Sequence, residues 1–405
     1  MNTFVIERLG HQGDGIAQGP VYVPGALPGE VVSGVPDGQI LGTYRIETPS
    51  PDRVSPPCRH ARSCGGCQLQ HAADSFVEAW KQDVVGRALI AQGVQVDFRP
   101  CFTAEPQSRR RASFAARRTK KGALVGFHQK ASDIVVAVPD CLLITPALRK
   151  ALPMVERLAV LGASRKHALS VQITDTAGGL DVAVSGGKPM DAALQSALAD
   201  LARDHDLARL FWDGEGLTRR PPHVDFGGIT VVPPPGAFLQ ATADGEATLR
   251  NDVLEIVDGA RHVVDLFAGC GTFALPVARS SAVHAVEGDK AMLVALDAGW
   301  RQGTGLRKVT HQARDLFRNP LLPDELARFD AAIIDPPRAG AEAQTAALAR
   351  ARIPRIAFVS CNPVSFARDA ATLTKAGYRL NWVRVVDQFR WSTHVELVAA
   401  FQLED

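Results

Sequence analysis

The chain has 405 residues, 46% of them hydrophobic and 22% charged, with a formal net charge of +2. That length exceeds one ordinary core and implies two or three domains, while the apolar share and a mean hydropathy near zero indicate a soluble globular chain, not a disordered or membrane one. So small a net charge leaves a nucleic-acid partner to be argued from where basic residues cluster.

No apolar run reaches membrane-spanning length, and Met1–Gly15 lacks the continuous apolar stretch of a secretory leader. A cytoplasmic protein with no membrane partner is expected. The seven cysteines are uneven, with Cys58, Cys64 and Cys67 clustered and Cys101, Cys141, Cys270 and Cys361 scattered. An odd count in a cytosolic setting favours metal or catalytic use over a disulfide framework.

Residues 1–55 read as short strands between Gly and Pro: Phe4–Leu9, Val21–Val23, Glu30–Val35 and Ile40–Ile46. This pattern predicts a small β-barrel of the OB-like kind. The Pro-rich stretch 49–57 reads as a linker. After the cysteine cluster, Phe76, Trp80, Val84 and Ala88 recur at i+4, predicting an amphipathic helix over about 71–93 that packs on the C-terminal domain. Residues 56–232 mix strands and helices as an α+β unit.

From Val263 onward strands and helices alternate: strands at Val263–Phe267, Val283–Val286, Val309–Ala313, Ala331–Ile334 and Ile356–Val359. That order predicts an α/β, doubly wound parallel sheet over 233–405. The last two strands, Trp382–Val386 and Val395–Phe401, are separated only by a short turn region and should be antiparallel.

The loop Asp265-Leu266-Phe267-Ala268-Gly269-Cys270-Gly271-Thr272-Phe273 follows the first strand. Its glycines permit a tight turn and a close ligand approach, and Glu287 ends the next strand where ribose hydroxyls are gripped. Phe273 stands near where a nicotinamide fingerprint needs its third glycine, so the loop favours S-adenosylmethionine over a dinucleotide. Asp315, closing the third strand, is either an adenine contact or a solvated carboxylate.

Asp335-Pro336-Pro337-Arg338 and Ser360-Cys361-Asn362-Pro363 end the next two strands. Ligands of open α/β sheets gather at such carboxyl ends. Cys361 is either a nucleophile or a small buried hydrophobe. Carbon 5 of a pyrimidine is a poor nucleophile until a thiolate adds to carbon 6. A base must then remove the carbon 5 proton so that the thiol can leave. The chemistry needs a Cys, a carboxylate such as Asp335 to read the ring, and a separate base. Glu396 is the candidate base, since it interrupts the apolar run Val395–Phe401; the alternative is an outward-facing residue of a half-buried strand. His394 either orients it or is structural.

Together these motifs resemble the RNA uracil-C5 methyltransferases, in the iron-sulfur branch that acts on 23S ribosomal RNA. The resemblance spans nearly the whole chain. It implies a class I Rossmann-like methyltransferase domain, Cys361 as nucleophile and Glu396 as base, and cofactor contacts at Gln240, Phe267, Thr272, Glu287 and Asp315. Asp335 then lines the site between cofactor and uracil. Three departures stand out: Thr242 where the family usually has Asn, Thr272 where it often has Asn, and Arg390-Trp391-Ser392 in place of Pro-His-Thr.

Cys58, Cys64, Cys67 and distant Cys141 offer four thiolates, with Gly65 and Gly66 letting the chain wrap tightly. Spacing alone leaves zinc and an iron-sulfur core open; the resemblance implies a [4Fe-4S] cluster on these four residues. Five residues between the first two cysteines, where radical enzymes have three, argue for a structural or RNA-positioning role. Gly10–Ala17 and Val23–Glu30 resemble the TRAM RNA-binding module. Arg109-Arg110-Arg111, Arg117-Arg118 and Lys120-Lys121 form the densest basic run, read as phosphate contacts or as a solvated hairpin. The expected partner is 23S ribosomal RNA or its precursor, with the target base flipped into the pocket of a monomeric enzyme. The same chemistry on transfer RNA, and an iron-sulfur RNA-binding module without activity, are the alternatives.

Overall fold

The computed structural model describes residues 2–404. Its strands fall into sheets of five, seven and eight, plus one two-stranded hairpin. The five-stranded sheet is antiparallel throughout, built from Asn2–Leu9, Asp14–Ala17, Val21–Pro24, Val31–Gly34 and Tyr44–Thr48. Irregular register at Ile6/Arg8 and Val31/Val32 bends it into a curled half-barrel, as bulges do. Its own small core holds Ile6, Val23, Ala26, Val32 and Leu41.

Two details differ from the sequence reading. The strand Asp14–Ala17 was not expected, and the predicted Ile40–Ile46 strand starts only at Tyr44. Gly15 explains the first: a Cβ there would meet Ala26 O at 2.8 Å. Four residues around a glycine are too few to show an alternating pattern.

The seven-stranded sheet spans Arg111–Arg118 to Glu215–Thr218 in sequence, with helices Leu152–Gly162 and Ala192–Asp204 contributing to its core. Phe114, Val155, Leu158, Val171 and Trp212 fill it, and Cys64 and Cys67 pack against its border.

The eight-stranded sheet has the order Val309–Ala313, Ala282–Glu287, His262–Leu266, Ala331–Ile334, Arg355–Ser360, Leu397–Leu403, Tyr378–Asp387 and Phe102–Thr103. The first five strands are parallel, and Leu397–Leu403 inserts antiparallel between its two neighbours. This is an open, Rossmann-like sheet with one antiparallel insertion. Strands Ala331–Ile334 and Arg355–Ser360 are buried along nearly their whole length, which is why they read as continuous apolar runs.

The eighth strand comes from residues placed by sequence order in the central unit. Phe102–Thr103 runs parallel to Val386–Asp387, and helix Asp74–Ile90 sends Val85 and Leu89 into the core shared with Val264 and Phe358. The helix forms where its periodicity predicts, but the buried row is Val77, Lys81, Val85 and Leu89 with Trp80 beside it. A lysine inside that row masked the stripe. Among the described residues no helix is long and apolar enough to cross a membrane.

Candidate active site

Register assembles the site. Leu266 pairs with Val286 and Ile334, and Ile334 pairs with Phe358. Phe267, Glu287 and Asp335, each at or just beyond a strand end, therefore emerge along one carboxyl edge, with Cys361 beyond the adjoining strand. Ser360 pairs with Leu397 across the antiparallel step, which sets Cys361 beside Glu396. The predicted strand Val395–Phe401 begins instead at Leu397, so Glu396 lies just before the strand, free of its alternation, and is 3% exposed. It is not an outward-facing strand residue.

Gln240, Phe267, Thr272 and Glu287 line one cavity of about 890 Å³, and Asp315, Asp335, Cys361 and Glu396 line the same cavity. Phe267 holds φ +63, a left-handed backbone uncommon for a bulky residue and typical of strained functional turns. Glu287 accepts the Gly269 N–H at 3.0 Å with one oxygen and the Asp289 N–H at 3.0 Å with the other. The glycine loop is thereby fastened to the end of the second strand. Asp315 is exposed, and its Oδ1 accepts from Phe317 N at 3.0 Å and Arg318 N at 3.2 Å. That turn sets Phe317 at the rim, its ring centroid 5.4 Å from that of Phe267.

The electrostatics are those of crowded carboxylates in a dry pocket. Burial and then Glu287 push Asp335 up to about 7. Burial and then Asp335 hold Glu396 well above the usual carboxylate range, opposed by Arg338. The Cys361 thiol is pushed up to about 11 by burial, Glu396 and Asp335, again opposed by Arg338. Like charges at close quarters cannot all ionise, and this is how environments separate acid from base roles. Arg338 is the cation that opposes both shifts, and its Nη2 lies 2.5 Å from His394 Nδ1. Its carbonyl accepts from Asn362 Nδ2 at 2.8 Å, tying the Pro-Pro turn to the residue after Cys361. The sequence reading quoted Arg338 without a role; only the fold brings it to the thiol.

Comparison with known proteins places this geometry. Residues 306–402 match the family described as tRNA (uracil-5-)-methyltransferase. An uncharacterized RNA methyltransferase of Rhizobium meliloti is 44% identical, with 99% of each chain covered. The 23S rRNA (uracil(1939)-C(5))-methyltransferase RlmD of a Shewanella strain is 30% identical over 99% of this chain and 95% of its own. The chain belongs to the RNA uracil-C5 methyltransferase family. A solved tRNA (uracil-54, C5)-methyltransferase of Pyrococcus abyssi, in complex with S-adenosyl-L-homocysteine, shares the fold. Its TM-score is 0.77 at 22% identity, covering 98% of this chain and 99% of that one.

Two of the departures of this RNA methyltransferase from its family have a physical account. Thr242 caps the helix Ala243–Ile256 by accepting the Gly245 N–H at 3.1 Å, a task that Thr and Asn both perform. Arg390 and Trp391 replace Pro and His with two anchors to Asp74. Nothing in the structure explains Thr272.

The basic run divides. Arg110 is not free for phosphate: it pairs with buried Glu246, and Arg111 donates to Gln172 at 3.2 Å. Arg109 lies at 5.8 Å over Phe389 and is lowered by burial. Arg118, Lys120 and Lys121 remain exposed on a hairpin.

The four cysteines do come together. Cys58, Cys64, Cys67 and Cys141 line a cavity of about 280 Å³. Gly65 lets the chain pass there, since a Cβ would meet His128 O at 2.6 Å. Backbone N–H groups of His60 and Gly66 each point at a sulfur, of Cys58 and Cys64, at 3.4 Å. Burial and then the neighbouring thiols push Cys67 up to about 12, although Arg109 and Arg111 line the same cavity. Among the described residues no three His, Cys, Asp or Glu side chains converge closely enough to hold a metal ion. The fold thus brings four thiols from two distant stretches of the chain to one cavity.

Asp265 offers a stability test. It is 0% exposed and neither oxygen has a well-formed hydrogen bond among the described residues; burial, Asp335 and Glu287 hold its carboxyl well above the usual range, opposed by the nearby Ala274 N–H. A carboxyl raised in the folded state binds more protons folded than unfolded, so its stability is present at acidic pH and lost as pH rises through the folded value. Asp265→Asn is expected to flatten the fall in melting temperature between mildly acidic and mildly alkaline pH. Unchanged slope in calorimetry would refute this.

Proposed function

We propose that this enzyme forms 5-methyluridine in 23S ribosomal RNA, using S-adenosylmethionine as methyl donor. The observation that carries the reading is Cys361 beside Glu396 across one strand pair, with Asp335 on the same edge. Cys361 adds to uracil carbon 6 and converts the ring to an enolate nucleophilic at carbon 5. Bound S-adenosylmethionine would supply the methyl group to that carbon, its sulfonium leaving as the neutral thioether S-adenosyl-L-homocysteine. Glu396 then takes the carbon 5 proton, the ring double bond re-forms, and the Cys361 sulfur leaves. Asp335 accepts a hydrogen bond from the base edge. Arg338 offsets the carboxylates that hold Cys361 as a thiol.

Gln240, Phe267, Thr272, Glu287 and Asp315 bind the donor. Glu287 takes the ribose hydroxyls with lone pairs left over from its two backbone bonds. Cys58, Cys64, Cys67 and Cys141 would hold a [4Fe-4S] cluster, for which a structural role suffices because the thiol route to carbon 5 needs no electron. The half-barrel, residues 1–55, and the hairpin Arg117–Lys121 contact RNA phosphates.

The relative named for 23S RNA supports the rRNA substrate over the full length. The archaeal likeness shows that this overall architecture is shared with a transfer-RNA enzyme, so architecture does not choose the RNA. The test is labelled methyl transfer to a 23S fragment and to bulk transfer RNA, with and without dithionite. Incorporation into the ribosomal fragment, indifferent to reductant, is expected. Methylation of transfer RNA alone would overturn the substrate, and dependence on an electron donor would overturn the polar route.

A further inference from the structure

The segment carrying Glu396 is held from the other end of the chain. Residues 388–396, between strands Tyr378–Asp387 and Leu397–Leu403, have no regular structure. Many of their polar anchors come from residues 68–104. Lys81, 0% exposed, sits 2.6 Å from Asp387 Oδ1 and donates to the Phe389 carbonyl at 3.3 Å. The same Asp387 oxygen accepts the Phe389 N–H at 2.9 Å. Asp74, in the first turn of the same helix, accepts the Trp391 indole N–H at 3.1 Å and pairs with Arg390 at 2.5 Å.

Trp391 holds φ +59, a backbone state that persists only where surroundings enforce it. Its carbonyl accepts from the N–H groups of Gln68 and Leu69, both at 2.9 Å. Gln68 Oε1 in turn accepts the Thr393 N–H at 3.3 Å, and Gln68 Nε2 donates back to Gly65 O at 2.6 Å. Gln68 directly follows Cys67, and His394 lines both the cysteine cavity and the active-site cavity.

We propose that helix Asp74–Ile90 and the Gln68–Leu69 step form a latch that positions Glu396, with Lys81 and Gln68 as positioning residues and Gln68 as the contact through which the cysteine segment reaches the active site. The inference rests on the proposed reaction. A buried ion pair is weak evidence for stability, since an apolar pair of similar volume often serves as well. What Lys81 adds is direction: it fixes where the strand ends and the base-bearing segment starts. The step at stake breaks the carbon 5–hydrogen bond. The proton passes to the Glu396 carboxylate, the electron pair re-forms the ring double bond, and the Cys361 sulfur departs as thiolate. A displaced base slows this elimination and leaves addition and methylation in place.

The test compares two RNA substrates with full-length Gln68→Ala and Lys81→Met. RNA containing 5-fluorouridine has no carbon 5 proton, so its covalent adduct reports addition and methylation alone. RNA tritiated at uridine carbon 5 reports the elimination. Adduct formation at the wild-type rate with tritium release lowered at least about tenfold, a part of the roughly 10²–10⁴-fold that a positioned base contributes, is expected of both variants. Equal loss in both assays, or loss in neither, would overturn the latch. If Lys81→Met melts early, Gln68→Ala, at a half-buried position, decides the comparison alone. Wild-type enzyme that forms no adduct would defeat the proposed reaction instead, so the two failures are distinguishable.

Discussion

Cys361→Ala is expected to form no covalent adduct with a 5-fluorouridine 23S fragment and to lose at least roughly 10⁴-fold in turnover, the scale on which loss of a covalent nucleophile acts. The variant should still fold, because the thiol is half-buried at a strand end and makes room for alanine without a new polar group. Gel-shift under denaturing conditions with labelled donor reads the adduct directly. Efficient adduct formation by the variant would remove Cys361 from the reaction. The other cysteines are poor substitutes: Cys270 is buried and pushed up to about 12 by that burial, and Cys101 lies by Asp387, pushed up to about 11 by burial. A pH dependence follows from the same burial. The wild-type thiol is raised, so its reactive form grows as pH rises, and single-turnover rates should climb from neutral toward alkaline pH.

Strand-end logic made most of this site legible in the sequence. Asp335 and Cys361 each close an apolar run, and parallel register brings such positions to one edge. The terminal antiparallel pair was readable from its short connection. Glu396 was found for a partly mistaken reason, as an intruder within a strand, when it lies one residue before the strand begins. What stayed hidden was long-range pairing. Arg110 reads as a phosphate ligand beside two other arginines, because Glu246, its partner, is distant in sequence. Lys81 was given no part in the sequence reading, because its partner Asp387 lies near the other end of the chain. Phe102–Thr103 is too short to read as a strand, and only the sheet edge at Val386–Asp387 makes it one.

Glu396→Gln should show the opposite phenotype to Cys361→Ala: a covalent enzyme–RNA complex that builds up on ordinary uridine. Gln keeps the shape of the buried side chain and its hydrogen-bonding edge but cannot take a proton. Addition and methylation then proceed and elimination stalls, with turnover reduced by about 10²–10⁴-fold, the range of a positioned general base. The substitution also removes a carboxylate whose ionisation is opposed by burial and Asp335. The Cys361 thiol loses one of the charges that raise it, so the first half of the reaction should if anything be faster. Both effects push in the same direction, toward a methylated, enzyme-bound uracil. Mass spectrometry of the peptide containing Cys361 would find the methylated adduct. A variant that turns over slowly with no accumulated adduct would instead place Glu396 before the covalent step, and the base would have to be sought elsewhere along the same edge.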